Sequence, residues 1–175
     1  MKFNQSEEIM DYVNLFVSVL ICFPEVGTIR YEKADGSIYF TFIMHDLVVG
    51  PETAAALTEI ENALKSYLRL EGITPQRYAV RTFEYDQFVV FEAVRDVATV
   101  TRAEMSFLIE LFRMKFLKHL IMENVDESML DDFGWYQDGA AEPPSEKKYY
   151  AVNEGGDQGK ILVLRESGRV LVFSN

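Results

Sequence analysis

The chain has 175 residues, a formal net charge of -11, 49% hydrophobic residues and one cysteine. Domains cluster at about 100–150 residues, so one domain over 1–175 is expected, and the hydrophobic and aromatic content excludes an intrinsically disordered chain. The acidic balance argues against nucleic acid as a partner, because phosphate backbones are bound by clustered Lys and Arg. The longest apolar run, Leu15 to Phe23, is far short of the about 20 residues a membrane helix needs, so no membrane is expected. The acidic N-terminal residues before that run do not read as a signal peptide. With Cys22 alone no intrachain disulfide can form, which fits a cytoplasmic location.

In chain order, Ser6 is placed to cap a first helix over about 7–22, with Glu7 and Glu8 at the positive end of its dipole. Ile9, Val13, Phe16, Val17 and Leu20 follow helical spacing, and Leu15 to Phe23 is apolar nearly all round, so its second half reads as a core helix. Thr28–Glu32 and Ser37–Met44 alternate around Asp35-Gly36 and predict an antiparallel hairpin. Gly50-Pro51 opens a second helix and Gly72 closes it. Its buried stripe is Leu57, Ile60, Leu64 and Leu68, and Glu61 and Lys65 form an i,i+4 pair outside. Arg77–Phe83 and Phe88–Val94 predict a second hairpin around Glu84-Tyr85-Asp86-Gln87. Thr101-Arg102-Ala103-Glu104 is a capping box, with Val100 and Met105 placed for a hydrophobic staple, and the helix it starts runs through Leu108, Phe112, Phe116 and Leu120 to about Met122.

From Glu123 to Glu142 there are seven acids and no Lys or Arg. Asp126 is placed to cap a short helix carrying Met129, Leu130 and Phe133 within an acidic linker over 123–147, and strands return over 148–175. These are Lys148–Val152, Lys160–Arg165 and Arg169–Phe173, the last two around Ser167-Gly168. Helices alternating with hairpins predict an α+β fold: an antiparallel sheet built from hairpins with the helices packed mainly on one face. The elements from Ser37 to Val152 also spell β-α-β-β-α-β, the order of a ferredoxin-like core.

The chemistry-bearing candidates are few. His45-Asp46 could belong to a metal-dependent phosphohydrolase only with several further histidines, and only His119 remains. Cys22 lies where a thiolate is disfavoured, so a Cys-His nucleophilic pair is not expected. Gly155 to Lys160 lacks the spacing and the hydroxyl residue of a phosphate-binding loop and reads as a hairpin loop. Asp126, Glu127, Asp131 and Asp132 lack the central Gly of an EF-hand and read as solvated charges. Catalytic residues are therefore unassigned, and neither a metal nor a cofactor is expected.

The partner-binding candidates are Met129, Asp131, Asp132, Phe133, Trp135 and Tyr136, apolar anchors set among acids that would steer a basic protein partner; the competing reading puts their apolar members in the core. Self-association is the other partner expectation. No motif assigns a family. The helix–hairpin–helix–hairpin–helix order over residues 7–122, with the small size and low pI, is similar to type III secretion chaperones and related sensory-regulator folds in topology and charge. Those folds usually carry a third strand before the second helix, and no functional residue is carried over. Two functions compete: a non-enzymatic interaction or regulatory module, and a small-molecule-binding or enzymatic α+β domain whose site is built from ordinary polar residues.

Overall fold

The structure is a computed structural model that describes residues 5–123, 150–153 and 159–174. Its elements are α1 (Gln5–Cys22), β1 (Thr28–Glu32), β2 (Ser37–His45), α2 (Pro51–Leu70), β3 (Tyr78–Glu84), β4 (Phe88–Asp96), α3 (Arg102–Phe116), β5 (Tyr150–Asn153), β6 (Lys160–Glu166) and β7 (Arg169–Ser174). They form an α+β fold. The seven strands make one sheet in the order β3-β4-β2-β1-β6-β7-β5, antiparallel throughout except for the β5–β7 pair.

The period of two in β2 decides which face is covered. Ile38, Phe40, Phe42 and Met44 are buried, together with Ile29, Phe91, Val163 and Val172 on neighbouring strands. The helices lie on this face. Phe112 of α3 stacks on Phe42 with ring centres 4.0 Å apart, and Tyr12 of α1 meets Tyr31 of β1 at 5.4 Å. Phe16 to Ile21 are all buried, as the all-round apolar run of α1 requires. In α2 Ile60, Leu64 and Leu68 are buried and Leu57 is half-buried, while Glu61 and Lys65 approach to 3.7 Å. The β6–β7 turn carries positive φ at both Ser167 (52°) and Gly168 (76°), the requirement of a tight primed hairpin turn.

Several expectations are corrected. Ser6 lies inside α1, which already runs from Gln5. The β-α-β-β-α-β order does not close into a ferredoxin-like core: β2, β4 and β3 are adjacent as that core requires, but β1 holds the place beside β2 and β5 sits at the far edge. Because β7 separates β5 from β6, these two strands do not form the expected hairpin, and residues 155–158 between them lie outside the described residues. Helix α3 stops at Phe116 instead of Met122, because the following backbone is recruited by the sheet. His45 N–H donates to the His119 carbonyl at 2.8 Å, and Ile121 N–H donates to that of Ile43 at 2.8 Å.

The capping box forms by half. Thr101 Oγ1 accepts from the Glu104 backbone N–H at 3.1 Å, but the Glu104 carboxylate turns inward to the buried Arg95 guanidinium and makes no return bond among the described residues. The cap alone should still count: Thr101→Ala is expected to lower the unfolding free energy by about 0.5–2 kcal/mol, measured by denaturant titration.

Candidate functional site

Three strand and helix ends converge at one corner of the sheet: the loop after β2, the tip of the β3–β4 hairpin and the end of α3. The loop is set from both sides. Asp46 takes a left-handed backbone (φ 49°), which turns the chain off β2. Gly50-Pro51 then starts α2, and the buried Thr53 hydroxyl donates back to the Val48 carbonyl at 2.8 Å. At the hairpin tip Tyr85 N–H donates to the Phe88 carbonyl at 2.9 Å, and their rings stack with centres 4.9 Å apart.

An open cleft of about 670 Å³ lies between loop and tip, lined by Asp46, Leu47, Val48, Tyr85, Asp86 and Phe88 with Gln87 and Val89. Val48, Tyr85 and Phe88 are large apolar or aromatic side chains left exposed, and Asp46 and Asp86 are its charged residues. A second cleft of about 360 Å³ lies on the other flank of the loop and mixes charges, with Asp46 and Glu52 facing Lys115 and His119.

The protein's two histidines meet at this corner. His45 Nδ1 donates to Asp46 Oδ2 at 3.0 Å, and His119 Nδ1 donates to the His45 carbonyl at 3.1 Å, so both hydrogen bonds place the ring proton on Nδ1 when the imidazole is neutral. The ring centres are 6.5 Å apart. This is a base with an orienting carboxylate, and a hydrolytic triad would add a nucleophile. The hydroxyl lining the second cleft belongs to Thr53, and it is spent on Val48. Cys22 is remote in sequence at the end of α1, and burial raises its thiol pKa, partly offset by the Arg102 charge. Among the described residues no three His, Cys, Asp or Glu side chains are placed to hold a metal ion.

The candidates Met129, Asp131, Asp132, Phe133, Trp135 and Tyr136 lie outside the described residues, as does the expected short helix begun by Asp126. Asp46 was legible as the acid beside His45, whereas Tyr85, Asp86 and Phe88 were legible only as a turn and a strand end. The signal available was two aromatic residues bracketing Asp86-Gln87 at a hairpin tip, where apolar side chains have little core to enter. No family model, curated protein or solved structure matches this chain. The likeness to type III secretion chaperones therefore has only element order, size and charge behind it. No helix among the described residues is long and apolar enough to cross a membrane.

Proposed function

We propose that the protein is a non-enzymatic interaction module of the cytoplasm that docks a basic segment of a protein partner in the cleft between residues 46–48 and 85–89. The observation that carries this reading is the composition of that cleft: exposed Tyr85, Phe88 and Val48 beside two carboxylates, with no Lys or Arg among the described residues of its lining. Aromatic faces and carboxylates together suit a Lys or Arg side chain, which stacks its cation on a ring while the acids neutralise it. The overall charge of -11 supports the same choice, since it accelerates encounter with a cationic partner and disfavours nucleic acid. The single cysteine supports a reducing location.

The test is selection of displayed random peptides on the full chain. Enriched peptides should carry Lys or Arg next to an apolar residue. Phe88→Ala should weaken a selected peptide by about tenfold or more, as removal of an interface anchor does. Asp46→Asn combined with Asp86→Asn should slow association and flatten its salt dependence. Enrichment of acidic or uncharged peptides, or equal binding by Phe88→Ala, would reject the reading.

A further inference from the structure

The sheet ends at β3, and among the described residues no strand pairs with its outer edge. An open edge offers a row of backbone donors and acceptors to any other strand, and proteins that keep such an edge single blunt it with proline, a bulge, a very short strand or charged side chains. Three of these are absent, since β3 runs seven residues, contains no proline and pairs with β4 without a break from Tyr78↔Arg95 to Glu84↔Val89, and its charges are limited to one of each sign, Arg81 and Glu84. Residues Arg81 to Phe88 are all exposed.

We propose that this edge pairs with the same edge of a second copy, antiparallel, with Thr82 on the two-fold axis. The hydrogen-bond pattern selects which residues can pair. Tyr85 N–H donates to Phe88 across the tip, and bonding toward β4 alternates along an antiparallel strand, so Phe83, Arg81 and Ala79 also turn their backbone groups to β4. Val80, Thr82 and Glu84 therefore present theirs to the open edge. With Thr82 on the axis, Thr82 bonds to Thr82 of the second copy and Val80 to Glu84 of the second copy, in both directions.

Charge favours this register over those centred on Arg81 or Glu84. Arg81 and Glu84 are the only charged residues of β3, so the edge is locally neutral although each chain carries -11. Centring the pair on Arg81 would face two guanidinium groups, and centring it on Glu84 would face two carboxylates, each destabilising. Centring on Thr82 places Arg81 opposite the ring of Phe83 of the second copy, a favourable cation–aromatic pair, and does so twice. Phe83 is 42% exposed in the single chain and would be covered. The proposal is independent of the cleft reading, since it concerns the edge and not residues 46–48.

Sedimentation equilibrium of the full chain tests it. The wild type should weigh as a dimer at tens of micromolar. Thr82→Glu and Thr82→Lys each set like charges face to face across the axis and should each weaken the dimer by about tenfold or more, whereas mixing the two variants should restore it. Thr82 is exposed, so these changes leave the core untouched. Thr82→Pro, which deletes an edge donor and no β3–β4 bond, should give a monomer with unchanged far-ultraviolet circular dichroism. A monomeric wild type, single charge variants that still dimerise alone, or a mixture that stays monomeric would overturn the proposal.

Discussion

Replacing Phe112 with alanine is expected to cost about 3–5 kcal/mol of unfolding free energy, the range for truncating a fully buried Phe. Phe112 has no exposed surface and sits where α3 meets the sheet. Its ring stacks on Phe42 at 4.0 Å and contacts Phe91 and Phe116 at 5.9 and 6.1 Å. Three of its neighbours are thus large planar groups that cannot relax into the space it leaves, so the cavity contribution should be near its full size. Chemical denaturation reads the loss as a lower midpoint at unchanged slope. A loss below about 1 kcal/mol would mean that the helix–sheet interface is not packed as described.

Arg95→Met should cost a similar about 3–5 kcal/mol, for an electrostatic reason. Arg95 is 1% exposed and all of its guanidinium donors are used. Nε and Nη2 reach the two oxygens of Glu104. Nη1 reaches Asp96 and the Arg77 carbonyl, and Nη2 also reaches Thr99. Removing it strands the buried carboxylates of Glu104 and Asp96, and an uncompensated buried charge costs more than the pair contributes. Glu104→Gln combined with Arg95→Met should recover part of the loss, which separates stranded charge from lost packing.

The same network makes the fold acid-sensitive. Burial works against the ionised form of Asp96, but the Thr99 hydroxyl, the Arg77 backbone N–H and Arg95 outweigh it and hold the carboxyl at about 2. A group with a depressed folded pKa stabilises above its unfolded value, about 3.9, and loses that contribution as pH falls toward the folded value. Stability should therefore drop by about 2–3 kcal/mol between about pH 5 and 1 through Asp96 alone, and Asp96→Asn should flatten that part of the profile.

Much of the local structure was legible because it depends on neighbours in the chain. Period-two alternation in Ser37–His45, the proline at the start of α2 and Thr101 ahead of α3 act within a few residues, and the elements they mark are where the spacing puts them. The all-round apolar run in α1 likewise announced a helix whose second half is buried, as Phe16 to Ile21 are. What sequence alone left open are choices between distant partners. Leu120 continues the helical spacing of α3, yet the backbone at His119 and Ile121 bonds to β2 because the sheet edge there has donors and acceptors to satisfy. Glu104 has the right spacing to close a capping box, yet a buried guanidinium nine residues earlier outbids the backbone N–H for its carboxylate. β5 joins β7 in parallel because strand order follows from which edges are left unpaired, a property of the assembled sheet. The meeting of His45 with His119, 74 residues apart, and the cleft formed where the 46–48 loop passes the 85–88 tip arise in the same way. Each depends on how independently formed hairpins stack, and hydrophobic period carries no label saying which hairpin lies beside which.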